Sequence, residues 1–120
     1  MDRASKPTSV APGGHPAPWI DHYPKDVDWA RPFEARPLPD VFDAAVAKFG
    51  PRVCSSFIGR TMTYTEIGAA VRKAAAGLQA LGVKKNTKVG LLLPNSPTFI
   101  IYYYAALKLG AVVVNYNPLY

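Results

Sequence analysis

Hydrophobic positions along this chain change period several times, and each change marks an element. From Leu38 to Phe49 the apolar residues Val41, Phe42, Ala45, Val46 and Phe49 recur at helical spacing, which predicts an amphipathic helix with Asp40 as its cap. Gly50-Pro51 ends it. Val53 to Ile58 reads as a strand, Gly59-Arg60 as a tight hairpin turn, and Thr61-Met62 as the start of the returning strand. Thr63-Tyr64-Thr65-Glu66 is a capping box: the Thr hydroxyl accepts from a first-turn N–H and the Glu carboxylate, three residues on, accepts from the cap N–H. The helix it opens runs to about Leu81. Its apolar face is Ile67, Ala70, Val71, Ala74, Ala75, Leu78 and Leu81, and its polar face carries Arg72, Lys73, Ala76 and Gln79. Gly82 supplies a left-handed stop, and Val83 the apolar contact after it.

After a turn at Lys84 to Thr87 the period shortens again. Val89 to Leu93 is an apolar run expected of a strand covered on both faces, stopped by Pro94. Ser96 fits a helix N-cap and Pro97 the first helical position, where a missing N–H costs nothing. The helix runs apolar nearly all round to Leu109, Gly110 fits the left-handed position past its end, and Val112 to Asn115 is a second β-branched strand. Two strands joined by one helix predict a βαβ crossover with parallel strands. The fold class is therefore α/β: a β-hairpin, a helix, then a parallel βαβ unit.

The first 37 residues lack such periods. Residues 1–18 hold Pro7, Pro12, Gly13, Gly14, Pro16 and Pro18, and bury too little to offset ordering, so a flexible tail is expected. In residues 19–37 the residues Trp19, Ile20, Tyr23, Val27, Trp29 and Phe33 are separated by prolines, which suits an extended aromatic arm. Residues 38–120 form the remaining region.

Composition then narrows the function classes. With 49% hydrophobic and 18% charged residues, the chain is globular overall. The lone Cys54 excludes an internal disulfide and reads as a small apolar strand residue. The formal charge of +6 is spread along the chain; its densest cluster, Lys84-Lys85 with Lys88, reads as a solvated loop. Residues 1–18 lack the apolar middle of a secretory signal, and the Pro97–Leu109 run is shorter than the roughly 20 residues of a membrane span, so a cytoplasmic setting is expected.

Candidate chemistry is sparse. The glycines are isolated turn or cap residues and form no phosphate loop. His15 and His22 have no supporting ligands, and Asp40 and Asp43 lie on one helix with a capping role for Asp40. Tyr102, Tyr103, Tyr104, Tyr116 and Tyr120 serve either as core aromatics or as a pocket wall. Asn95, Asn115 and Asn117 are better placed for binding, because ligands of open α/β sheets gather at the carboxyl ends of strands, although turn and cap roles compete for them.

The order of these pieces resembles a known family. Thr63-Tyr64-Thr65-Glu66-Ile67, Ala76-Gly77-Leu78 before Leu81-Gly82-Val83-Lys84-Lys85, Lys88 through Pro97, and Ala105 through Asn115 together resemble the N-terminal part of the adenylate-forming enzymes. Pro18-Trp19-Ile20 with His22-Tyr23-Pro24, and the run Asn115-Tyr116-Asn117-Pro118-Leu119-Tyr120, are similar to bacterial long-chain fatty-acid–CoA ligases. Asn86-Thr87 stands where that family usually has Gly-Asp; asparagine tolerates a left-handed turn, so little effect is expected. The resemblance implies that fatty acid, ATP and coenzyme A, with magnesium, give acyl-CoA, AMP and pyrophosphate through an acyl-adenylate. It also implies that the phosphate loop, ribose-binding Asp and catalytic lysine lie downstream. No residue here matches a catalytic, cofactor or metal position. The expectation is thus an incomplete N-terminal part of an AMP-binding domain over residues 38–120, inactive alone and binding no cofactor itself. Contact with the inner membrane surface and self-association through open sheet edges are the expected partner surfaces. Two other classes stay open: a stand-alone interaction module, and a basic nucleic-acid binder. The latter is disfavoured because a strand rather than a recognition helix follows Gly82.

Overall fold

A computed structural model describes residue 14 and residues 17–28, 31–32 and 34–119. These fall in two compact units, Met1–Ala35 and Arg36–Tyr120.

In the first unit Pro18 opens a short 3-10 helix, Pro18–His22, and the Tyr23 N–H closes it on the Ile20 carbonyl at 3.1 Å. A further turn follows, with the Val27 N–H on the Pro24 carbonyl at 3.0 Å. The segment expected to be extended is therefore turned, because each proline presets a φ suited to a tight turn as readily as to an extended run. Trp19 and Tyr23 stay about half exposed. Most of the expected tail, with His15, Trp29 and Phe33, lies outside the described residues.

The second unit opens with helix α1, Leu38–Phe49. Its N-cap is Pro37, which makes no side-chain cap bond, and Asp40 lies inside the first turn. This corrects the expected cap: prolines at 37 and 39 let the helix start earlier, and Asp40 instead places its charge beside the positive end of the helix. Strands β1 (Val53–Phe57) and β2 (Arg60–Thr63) pair antiparallel. The turn is Ile58-Gly59, one residue earlier than expected, and Arg60 already pairs with Phe57. Ile58 and Gly59 both have positive φ, 48° and 74°, as a type I′ turn requires. The register shifts between Val53 and Ser55, and this bulge lets Cys54 pack against the core.

Helix α2, Tyr64–Ala80, begins with the full capping box. The Thr63 N–H donates to Glu66 Oε2 at 2.7 Å and the Glu66 N–H to Thr63 Oγ1 at 3.2 Å. It ends in a Schellman motif at Gly82 (φ 89°), where the Val83 N–H reaches the Leu78 carbonyl at 3.0 Å. Ile67, Val71 and Ala75 are buried as expected, but Leu81 is 83% exposed. The small residues Ala70, Ala74 and Gly77 leave a groove of about 420 Å³ between α2 and α3, and Leu81 sits on its margin. Gly68, absent from the expected face, is buried under Val46 of α1.

Strands β3 (Lys88–Leu92) and β4 (Val112–Tyr116) pair in parallel around helix α3 (Pro97–Lys108), giving the expected βαβ unit. Ser96 is the N-cap and Pro97 takes the first turn, without a side-chain cap bond. Gly110 (φ 68°) ends α3 in a second Schellman motif, with the Ala111 N–H on the Ala106 carbonyl at 3.1 Å. Asn86 adopts φ 69°, so it fills the left-handed turn as expected. Its N–H donates to the Gly110 carbonyl at 2.9 Å, which seats this turn on the end of α3.

The expectation that β3 is covered on both faces fails. Leu91 is buried on one face, but Leu92 is 64% and Tyr116 56% exposed on the other. Among the described residues the hairpin and the parallel pair are separate two-stranded sheets, so the hairpin does not extend the sheet of β3. The core lies between the helices instead: Phe42, Ile67, Val71, Ala75 and Ala105, with Cys54, Ile101 and Tyr104 packed against them.

Candidate functional site

Parallel strands direct their carboxyl ends to the same side of the sheet, and loops gather there. β3 leaves through Leu93-Pro94-Asn95 and β4 through Asn117-Pro118. Between them lies a cleft of about 510 Å³, lined by Leu93, Asn95, Phe99, Asn115, Tyr116, Asn117 and Pro118. The three asparagines selected from sequence thus converge on one cavity. Asn117 has a turn role as well, since its Oδ1 accepts the Leu119 N–H at 3.0 Å. Asn115 stands opposite Leu91 in the parallel register, and Asn95 lies in the bend before α3; both are exposed.

Of the two roles open to the tyrosines, Tyr116 takes that of a cleft wall. Tyr116 lies across β3 at Gly90, where a Cβ would stand 2.7 Å from Tyr116 Cε2. A glycine interrupting an apolar strand is the available signal, because it marks close approach by a neighbour. The other tyrosines divide. Tyr104 stacks on Phe42 and meets the Tyr103 edge at 5.6 Å, which makes it core. Burial, with smaller contributions from Tyr103, Cys54 and Tyr64, pushes its phenol up. Tyr102 lines the α2–α3 groove. Tyr120 lies outside the described residues.

A second cavity of about 320 Å³ shares Asn95 and Phe99 and extends from the start of α3 to Ser55, Ser56 and Phe57 of β1. The buried Ser55 Oγ makes no hydrogen bond.

The remaining candidates are not brought to the cleft. Asp43 forms an ion pair with Lys108, tying α1 to α3, so the two helix-α1 aspartates do not act together. Lys84, Lys85 and Lys88 are exposed at the opposite end of β3, about 13 Å of strand from Leu92. His22 is exposed at the end of its 3-10 helix. Desolvation pushes the Cys54 thiol up, which suits an inert strand residue. Apart from the Tyr116 phenol, the cleft lining carries no titratable group, and it carries no cation. Its amides can orient a neutral polar group but cannot transfer a proton or stabilise a triphosphate.

Comparison with known proteins fits this architecture. The profile of the AMP-binding enzyme family matches residues 42–120. A long-chain-fatty-acid–CoA ligase of Bacillus subtilis is 36% identical over 103 residues, 86% of this chain and 18% of its own length. 4-Coumarate–CoA ligase 4 of Arabidopsis thaliana is 44% identical over 62 residues, 52% of this chain and 11% of its own. The N-terminal subdomain of Klebsiella oxytoca NpsA, in complex with 3-hydroxyanthranilyl-AMSN, superposes with a TM-score of 0.71 at 32% identity, covering 73% of this chain and 23% of that one. The chain thus spans under a fifth of the length of the Bacillus ligase. Matched by that profile over most of its length, the chain belongs to the AMP-binding enzyme family.

Proposed function

We propose that these residues are the structural opening of a long-chain fatty-acid–CoA ligase, and that the whole protein joins a fatty acid to coenzyme A at the expense of ATP. The observation that carries this reading is the extent of the match. Similarity to the Bacillus ligase runs over 103 residues and so includes sequence before the family profile begins at residue 42, whereas the coumarate enzyme matches over 62. Within the reading, residues 38–120 are scaffold, residues 1–18 a tail and 19–37 an arm. The setting is cytoplasmic, with contact at the membrane surface.

Magnesium-bound ATP does not fit the asparagine cleft. The asparagine cleft has no charged lining, and no group of three His, Cys, Asp or Glu gathers among the described residues. No catalytic step is therefore assigned to these residues, and the chain by itself is inactive in this reading.

The test is ATP–pyrophosphate exchange with a long-chain fatty acid. The 120-residue chain gives none, and a protein carrying this sequence at its head with a full ligase body gives robust exchange. Exchange by the chain alone overturns the scaffold reading. A full-length protein that activates only aromatic acids overturns the fatty-acid assignment.

A further inference from the structure

Ser55, Ser56 and Phe57 are consecutive in β1, and all three line the cavity of about 320 Å³ at the start of α3. Side chains alternate between the two faces of a strand, so consecutive residues share one cavity along the strand's edge. The hairpin register says which backbone groups stand there. Phe57 pairs with Arg60 across the tight turn and Ser55 with Met62; these alternate positions exchange N–H and C=O with the partner strand. Ser56, between them, directs its N–H and C=O away from β2. No backbone hydrogen bond takes up either group among the described residues.

The side chains around this edge suit an uncharged ligand. Ser55 Oγ is buried without a hydrogen bond, which native structures rarely leave so. Ser96 makes no side-chain cap bond, and its hydroxyl and the Asn95 carboxamide complete the polar lining. Phe57 and Phe99 supply apolar wall, and the lining holds no ionisable side chain. A charged ligand would therefore enter unpaired. The Ser56 N–H and C=O form a donor beside an acceptor, and their complement is the carbonyl and N–H of one amide edge.

We propose that this cavity binds a small uncharged molecule through such an amide edge, with Ser56 exchanging both hydrogen bonds and Ser55 and Asn95 meeting its other polar groups. The site stands apart from the ligase reading, because binding is read without ATP, fatty acid or coenzyme A. A pyrimidine base and a free carboxamide both carry the edge, so uridine and nicotinamide are the two probes.

The experiment is an amide-resolved NMR titration of the chain with each probe and with its N-methylated form, N3-methyluridine or N,N-dimethylnicotinamide, which has no donor. Uridine or nicotinamide shifts the Ser56 amide saturably, and the tighter of the two names the source of the edge. The methylated form binds at least about tenfold more weakly, since it leaves the Ser56 carbonyl unpaired. Ser55→Ala binds about fivefold more weakly while its melting temperature holds or rises, because the unpaired hydroxyl is gone. Ser56→Pro deletes an N–H that β2 does not use, so the hairpin is kept and binding, followed at the Phe57 amide, is lost. Absence of a saturable shift at Ser56 with both probes overturns the proposal, as does equal affinity for the methylated forms. Undiminished binding by a folded Ser56→Pro overturns it too; if that variant unfolds, the methylated probes decide.

Discussion

The rings of Phe42 and Tyr104 stack with centroids 4.2 Å apart and an interplanar angle of 20°. This contact joins α1 to α3 at the centre of the core, 62 positions apart in sequence by their numbers. Phe42→Ala removes the large buried side chain of α1 and leaves a cavity, so it costs about 3–5 kcal/mol in urea denaturation followed by circular dichroism. A double-mutant cycle with Tyr104→Ala returns a coupling of about 0.5–1.5 kcal/mol for the ring pair. Additive costs would show that the stacking contributes nothing beyond burial.

Gly68 and Gly77 lie in the same helix and predict opposite outcomes. Replacing a helix-interior glycine with alanine ordinarily stabilises by up to about 1 kcal/mol. At Gly77 an added Cβ meets nothing within 4 Å, so Gly77→Ala raises stability. At Gly68 the Cβ meets Val46 Cγ1 at 2.9 Å, and a branched side chain has little freedom to yield. Gly68→Ala therefore destabilises by about 1 kcal/mol. In a Val46→Ala background the same substitution becomes stabilising. Thermal melts of the five proteins check both signs.

The contrast between these glycines shows where the sequence was legible. Caps and stops were read well because their chemistry is local: Thr63 and Glu66 are three residues apart, and Gly82 and Gly110 each act on the turn just before them. The parallel pairing followed from element order. Gly68 could not be read, because its reason is Val46 on another helix, and Gly90 is explained only by the ring of Tyr116. The hairpin turn was misplaced because Gly59-Arg60 looked like the turn pair; the structure shifts it by one residue and accepts Ile58 at positive φ. The asparagine cleft was readable in outline, since strand ends converge in any parallel pair and Tyr116 was open to a wall role, but its closure by Phe99 was not.

The capping box makes part of the stability pH-dependent. The Thr63 backbone N–H, then the Thr63 hydroxyl, hold the Glu66 carboxyl below the usual glutamate range. A folded pKa below the unfolded one means that this stabilisation is complete above the ordinary glutamate pKa. It is lost as pH falls through the depressed folded value. Glu66→Gln flattens this acid limb in melting temperature against pH. Thr63→Ala removes the hydroxyl at the cap and costs about 1 kcal/mol at neutral pH. An acid limb unchanged in Glu66→Gln would assign it to other carboxylates.

Cys54 sits at the bulge of β1 against the core, and burial raises its thiol. Little thiolate is present at neutral pH, so alkylation or disulfide exchange at Cys54 runs slower than for a free thiol in solution. Unfolding in urea restores the ordinary rate. Native reaction as fast as the unfolded one would place the thiol in open solvent.

The open face of the parallel sheet leads to the last prediction. Lys88, Gly90 and Leu92 of β3 stand opposite Val112, Val114 and Tyr116 of β4 and share one face by the period of the strands. Leu92, Val112 and Tyr116 are 64%, 47% and 56% exposed there, and among the described residues the sheet has two strands, so both outer edges also carry unpaired backbone groups. Apolar surface of this kind beside free edges favours association between copies. Sedimentation velocity of the 120-residue chain therefore shows concentration-dependent oligomers. Leu92→Lys places a charge on the face without touching the buried Leu91, so helical content stays constant while the oligomers dissociate. Gly90→Ala separates face from edge. Its Cβ displaces the Tyr116 ring and alters the apolar face, but leaves the backbone edges free. If Leu92→Lys dissociates the oligomers and Gly90→Ala shifts their equilibrium, the face carries the contact. If both leave it unchanged, the edges carry it, and a proline at Val113, whose N–H faces the free edge because the neighbouring Val112 N–H pairs with the Thr87 carbonyl, becomes the variant that breaks it.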